Sequence, residues 1–299
     1  MEYLMSYGWA ILTIALVLVV LFDLNIFSTV NFVPKASPGS CIIARPNGPY
    51  SLQVLSEEGL CTGSIPMYVY YFPCSWPDPG YCPDNWVNFS VSKTPINMSV
   101  SAWFWVPPSN ASIDYGGVIF AMSGNSPTMW VGGYHDYGRN INGQHLCASV
   151  FNAIGSYACS LDNITPGIWH NAVVTINSSK IYVYVDGRLA GTGAGGSLGG
   201  ANSGYIGNQT CNCFFSGASG ILALYSGYMS NVQLYNSSLN SAQVDNIYAG
   251  GIGYAPADLQ DLMAWWPLNG NANDYSGNLQ NGHASNVIPT GIWYNTYLR

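Results

Sequence analysis

The sequence predicts a mainly β protein, in which a long N-terminal apolar α-helix is followed by an antiparallel β-sandwich. Three observations predict it. From Tyr3 to Phe22 no side chain is charged. Prolines at 34, 38, 46, 49, 66, 73, 77, 79 and 83 forbid a long helix in the stretch that follows. Beyond residue 84, short runs rich in Val, Ile, Tyr and Trp alternate apolar with polar and are separated by Gly, Asn and Pro turns.

The helix is read over residues 1–28. Its uncharged run spans about 30 Å at about 1.5 Å per residue, the thickness of a bilayer core. No Lys or Arg precedes it and the first cation is Lys35, so the basic flank of a signal-anchor is missing, as is a small-x-small cleavage site ahead of Asn31. Glu2 stands at the mouth of the run, where a carboxylate is kept at the interface or given a cationic partner.

The stretch Met1-Glu2-Tyr3-Leu4-Met5-Ser6-Tyr7-Gly8-Trp9-Ala10-Ile11-Leu12 resembles the N-terminus of archaeal type IV pilin-like proteins with class III signal peptides. In that family a short basic leader is cut off just ahead of a glutamate-containing apolar helix, and the glutamate pairs with the terminal ammonium of a neighbouring subunit. The resemblance implies assembly through Glu2, Tyr3 and Trp9, with copies of the same chain as partners. Glu2 comes earlier than in the family and no leader precedes it. The sequence is therefore expected to start after processing or at an internal methionine. A single membrane anchor without polymerisation is the other reading.

Charged residues make up 7% of the 299-residue chain, and the net charge is −7. Nucleic acid is excluded as a partner, because neutralising phosphates needs clustered cations and no basic patch exists. Eight cysteines without C-x-x-C spacing read as disulfides in an oxidising compartment. Short loops suggest Cys41 with Cys61, Cys74 with Cys82, and Cys147 with Cys159. Cys211 and Cys213 form either a tight local bridge or a free pair. Asn-x-Ser/Thr acceptors at Asn88, Asn97, Asn110, Asn163, Asn177, Asn208 and Asn236 point to glycosylation.

Residues 29–83 are expected to be a Pro-rich, disulfide-stapled linker with short strands near 41–44, 51–55 and 67–72. The sandwich is expected over residues 84–299. In Asn97–Val106, Met98, Val100, Ala102, Phe104 and Val106 fall on one face, and Ser99, Ser101, Trp103 and Trp105 on the other. Further strands are expected at 117–122, 128–132, 145–151, 171–176, 180–185, 204–206 and 229–235, with Asp186-Gly187 closing a hairpin.

This region resembles laminin G-like domains of the concanavalin A-like jelly-roll superfamily. The residues that carry the resemblance are Ser99–Val106, Trp169-His170, Tyr182-Val-Tyr-Val-Asp186-Gly187 and Gly227–Asn236, followed by a closing helix at Ser241–Ala249. The segment Ala264–Gly277 looks like the stretch that normally opens such a domain, yet it comes near the end. The expectation is a circular permutation, in which residues 262–290 fold back to supply the missing strand.

Glycosidases need two carboxylates about 5 to 10 Å apart across the sugar bond. Outside the anchor the only glutamates are Glu57 and Glu58, which are adjacent, so no enzyme is expected. Gly191-Thr-Gly193-Ala-Gly-Gly196 fits a phosphate-loop pattern but has no helix behind it, and is read as a glycine-rich loop. Gly195–Gly199 fits G-x-S-x-G without the strand-turn-helix of a nucleophile elbow. The histidines at 135, 145, 170 and 283 show no zinc spacing, and His170 is read as a structural strand residue.

The laminin G-like resemblance implies calcium in loops at the sandwich edge, with Asn269, Asn271 and Asp274 as ligands beside Asn273; with only one carboxylate among them, the same residues read first as Asx turns. Aromatics of the Met129–Tyr137 loop, namely Trp130, Tyr134 and Tyr137, are the expected surface for glycans or proteins. The expected function is a structural or adhesive subunit of a type IV pilus-like surface filament, inserted in the cytoplasmic membrane before assembly and displaying its sandwich outward. The alternative is a membrane-anchored monomeric carbohydrate- or protein-binding module.

Overall fold

The structure, a computed structural model, describes residues 11–17, 42–44, 52–54, 65–73, 85–93, 95–108, 117–123, 127–134, 141–150, 156–200, 202–208, 225–256 and 258–291. The chain forms two compact units, residues 1–41 with 55–61, and residues 42–54 with 62–299. In the first, residues 11–17 form helix α1, with Ile11, Leu12, Ile14, Leu16 and Val17 all exposed. The rest of the helix expected over residues 1–28 lies outside the described residues. Among the described residues no helix is long and apolar enough to cross a membrane.

The second unit contains the β1 (Ile42–Ala44) and β2 (Leu52–Val54) hairpin and two antiparallel sheets. The strands are β3 (Tyr68–Phe72), β4 (Trp86–Ser90), β5 (Met98–Trp105), β6 (Val118–Met122), β7 (Pro127–Tyr134), β8 (Ile141–Val150) and β9 (Tyr157–Cys159). There follow β10 (Trp169–Ile176), β11 (Lys180–Val185), β12 (Arg188–Ala194), β13 (Ser203–Ile206) and β14 (Gly227–Tyr235). Helix α2 (Ser241–Gly250) leads to β15 (Leu262–Trp266), β16 (His283–Ser285) and β17 (Ile288–Gly291). The larger sheet runs β12-β11-β10-β5-β14-β3-β17, with β15 also on β14, and the smaller runs β16-β4-β13-β6-β7-β8-β9.

The C-terminal segment thus feeds both sheets: β15 pairs β14, β16 pairs β4, and β17 pairs β3. Trp266 is fully buried and its ring lies 4.6 Å from that of Phe89 on β4. β3, which lies within the stretch expected as linker and β extension, belongs to the larger sheet. Its proline-rich flanks hide a strand whose partner β14 is more than 150 residues away in sequence.

β5 is buried on both faces. Met98, Val100, Ala102, Phe104 and Val106 join the main core between the sheets. Trp103 and Trp105 enter a second aromatic layer with Trp169 on the opposite face. Part of that face is capped by α2, whose ring of Tyr248 stacks on Trp103 at 5.9 Å. Helix α2 starts at a capping box: the Asn240 side chain accepts from the Gln243 N–H while the Gln243 side chain accepts from the Asn240 N–H.

Asp186 (φ 50°) and Gly187 (φ 78°) make the two-residue turn between β11 and β12, the backbone signature of a type I′ hairpin. The Gly191–Gly196 run is not simply a loop, since residues 191–194 belong to β12. A Cβ at Gly191 would strike the carbonyl of Cys159, and one at Gly193 the carbonyl of Tyr157. Glycine therefore lets β12, an edge of the larger sheet, press against β9, an edge of the smaller one. Cys147 and Cys159 face one another on β8 and β9 and form a disulfide.

Candidate functional site

β14 carries β5 along one side and two short partners end to end along the other. β3 pairs with Gly227–Met229, and β15 pairs with Val232–Tyr235. At the junction Asn231 adopts φ 52°, and the β14–β5 register shifts between Ser230 and Gln233. A cleft of about 270 Å³ opens there, with Trp265 and Tyr275 among the side chains that line it and Pro66, Ile252, Pro267 and Asn269 around them. Among the described residues no acidic or basic side chain lines this cleft.

Alternation along β15 explains why a tryptophan is available. Trp266 points into the core and Trp265, its neighbour, points outward, half-buried. The indole N–H of Trp265 donates to Asn231 Oδ1 at 2.7 Å, and Asn231 in turn donates to the Tyr254 carbonyl. Tyr275, 54% exposed, meets Trp265 edge-on, with ring centroids 6.2 Å apart and planes at 66°. Its backbone N–H donates to the Trp265 carbonyl at 2.8 Å, and its hydroxyl accepts from Asn271 Nδ2. The two rings are thus fixed relative to one another before any ligand arrives.

Behind the cleft the Gln233 side chain accepts from the Tyr235 hydroxyl. Burial, followed by the negative charge of Asp258, pushes the Tyr235 phenol well above its ordinary range, and burial raises Tyr254 as well. Both rings stay neutral hydrogen-bonding groups.

The residues expected to hold calcium are spent on structure. Asp274 Oδ1 accepts from the N–H groups of Trp265 and Ser276, and Oδ2 from the Ser276 hydroxyl and the Gln280 N–H, all four at 2.8 Å. Asn271 Oδ1 accepts from the Asn273 N–H, and Asn269 Oδ1 from the Tyr68 N–H. The Asx-turn reading therefore fits these side chains. Among the described residues no cluster of three or more His, Cys, Asp or Glu could hold a metal ion.

Trp130 is corrected as a ligand residue: it is 3% exposed on β7, packed with Val118, Ala121 and Cys147. Tyr134 ends β7 with its side chain outside the described residues, as is all of Tyr137. Glu2, Tyr3, Trp9, Glu57, Glu58, Asn110 and Cys41, Cys61, Cys74, Cys82, Cys211 and Cys213 lie outside the described residues too. Asn208 is buried, at 7% exposed. Asn88, Asn163 and Asn236 are exposed, and Asn97 and Asn177 half-buried.

Sequence reasoning missed Trp265 and Tyr275 as surface residues. The signal was present, because two adjacent tryptophans on one strand must face opposite ways.

A larger groove, of about 470 Å³, lies beside the β11–β12 turn and includes His170, Asp186, Arg188 and Leu189. His170 is buried, with Nδ1 2.8 Å from Asp186 Oδ2 and Nε2 3.1 Å from the Thr165 carbonyl. Asp186 Oδ1 accepts from the Asn171 N–H. This pair ties the hairpin turn to the preceding loop.

Residues 82–245 match the family model of the concanavalin A-like lectin/glucanases superfamily. Among solved structures, a Bacteroides ovatus protein described as a candidate carbohydrate-binding protein is similar at 15% identity and a TM-score of 0.55, over 80% of this chain and 67% of that one. A heptameric SAP-like pentraxin from Limulus polyphemus matches at 15% identity and 0.47, over 75% and 94%. Domains LG4-5 of the mouse laminin α1 chain match at 14% and 0.39, over 71% and 52%. At these identities the likeness concerns the fold. No curated protein matches the chain.

Proposed function

The chain belongs to the concanavalin A-like lectin/glucanases superfamily, and on that premise we propose that it is a non-catalytic binding module for carbohydrate. One observation carries the reading: Trp265 and Tyr275 form a fixed, solvent-facing aromatic corner in an uncharged cleft. The apolar faces of sugar rings stack on aromatic side chains, and their hydroxyls need neutral hydrogen-bond partners. Asn269 Nδ2 and the Tyr275 hydroxyl proton are both at hand. Glycoside hydrolysis requires a carboxylate pair across the bond, and the described residues of the cleft lining include none.

The module is carried outside the cell by the apolar N-terminal segment, in keeping with the exposed apolar side chains of α1 and with the Cys147–Cys159 disulfide. In the filament form of this reading, apolar segments of many copies bury one another and Glu2 is neutralised by a neighbour's ammonium; in the other form the segment is a single membrane anchor. The strands β15–β17 are read as the permuted opening of the family's domain, since the family match ends at residue 245 and β15 lies beyond it.

Incubating the full chain with an array of neutral glycans tests the binding reading, with retention on a subset expected and loss of that retention in Trp265→Ala. Electron microscopy of the producing cells separates the two forms of display: filaments containing the chain support the first, and a detergent-soluble monomer the second.

A further inference from the structure

The groove beside the β11–β12 turn begins at the sequon Asn163-Ile164-Thr165, a loop in which Leu161, Asp162, Asn163 and Thr165 are exposed and only Ile164 is buried. Neither the Asn163 carboxamide nor the Thr165 hydroxyl has a hydrogen-bond partner among the described residues. Asn163 Oδ1 rests against Gly143, whose φ of 106° and lack of a Cβ make the space: a Cβ there would stand 2.5 Å from Oδ1 and 3.6 Å from Nδ2. The nitrogen is the atom left farther from the wall.

The other described sequons have a buried or hydrogen-bonded member or sit on a paired strand. Asn208 is buried. The Ser99 hydroxyl that serves Asn97 is itself buried, donating to the Ser237 carbonyl and accepting from the Leu239 N–H. Asn177 Oδ1 is held by the N–H groups of Ser179 and Lys180. The Ser238 hydroxyl that serves Asn236 donates to the Ile176 carbonyl. Asn88 and Ser90 sit on β4, which is paired on both sides. A sequon is used where it lies on an accessible surface loop.

We propose that Asn163 carries an N-linked glycan whose first sugars lie in this groove. Leu189, 54% exposed, gives it an apolar wall beside Ala190, and Leu161, 85% exposed, stands next to the sequon in sequence. The carboxylates of Asp162 and Asp186 and the guanidinium of Arg188, which has no ion pair among the described residues, meet its hydroxyls. The donor is a sugar carried on a lipid phosphate. Asn163 Nδ2 forms a bond to the anomeric carbon as the bond from that carbon to the phosphate oxygen breaks; the amide proton passes to a base of the transferase and the lipid phosphate leaves. The inference rests on the extracytoplasmic location proposed above and not on the Trp265 cleft.

Peptide mapping of the full chain purified from its own cells tests it. The expected result is a sugar mass on the Asn163 peptide, absent in Asn163→Gln and equally absent in Thr165→Ala, which keeps the asparagine. Thermolysin cleavage ahead of Leu161 and Leu189 is expected to be several-fold slower with the glycan than without. An unmodified Asn163 overturns the site, and equal cleavage rates overturn the docking in the groove. The state of Cys147 and Cys159 in the same map keeps the two claims apart. A disulfide beside a bare Asn163 refutes only the glycan, whereas free thiols refute the location as well.

Discussion

Asp274 holds Trp265 by its backbone. Oδ1 of the carboxylate accepts the Trp265 N–H at 2.8 Å, while the Trp265 carbonyl accepts the N–H of Tyr275, the very next residue after Asp274. The aromatic corner is thus bolted to a carboxylate with four donors. Replacing Asp274 by Ala strands the donors that faced it, at about 1–3 kcal/mol for each buried group left unpaired. A melting temperature lower by several degrees is expected in calorimetry. Chelation of calcium should leave the melting temperature of the unaltered protein where it was, because these oxygens are already occupied.

The neighbouring tryptophans should behave oppositely. Trp266 is fully buried against Phe89, so Trp266→Ala is expected to cost about 3–5 kcal/mol, read from the denaturant midpoint. Trp265→Ala should cost clearly less, because Trp265 is only half-buried and loses chiefly its bond to Asn231. Equal losses would mean that both rings serve the core.

Gly193→Ala should be among the more damaging single-methyl additions. The new Cβ meets the Tyr157 carbonyl, a backbone atom that cannot swing aside. Overpacking of this kind costs about 1–3 kcal/mol or more. Gly277→Ala is a suitable contrast, since nothing lies within 4 Å of its Cβ position, although its φ of 89° adds local strain.

Alkaline pH should unfold the sandwich through its buried phenols. Burial raises Tyr225, Tyr235, Tyr70 and Tyr184 above the ordinary tyrosine value, most strongly the first two, so the neutral form is favoured in the folded state. Their contribution to stability is complete below pH about 10, where the unfolded chain also keeps its phenols neutral, and is lost as pH climbs toward the folded-state values. Phenolate absorbance during a pH titration should therefore lag for this group and then rise together with unfolding.

Much of the sandwich is legible in local pattern. The alternation of Met98–Trp105, the Asp186-Gly187 turn and the Asn240–Gln243 cap are short-range signals, and local chemistry is enough to read them. What covers a strand is not local. Trp130 has the chemistry of a ligand residue and is buried among side chains of the flanking strands β6 and β8. The cleft depends on β3 and β15, segments nearly 200 residues apart, each pairing with β14 and meeting there end to end, which no periodicity reveals. The Asn269–Asp274 cluster is written in the sequence, but the donors that its oxygens accept from, the Tyr68 N–H among them, are set by the fold.

The central claim is that the Trp265–Tyr275 corner binds neutral sugar without metal, and a neutral-glycan array probed in the presence of a chelator tests it most directly. The account predicts that the unaltered chain binds a subset of glycans whether or not the chelator is added. It also predicts that Trp265→Ala, folded by circular dichroism, loses about tenfold or more in affinity, equivalent to about 1.4 kcal/mol. Binding that disappears with the chelator, or that survives unchanged in Trp265→Ala, would contradict it.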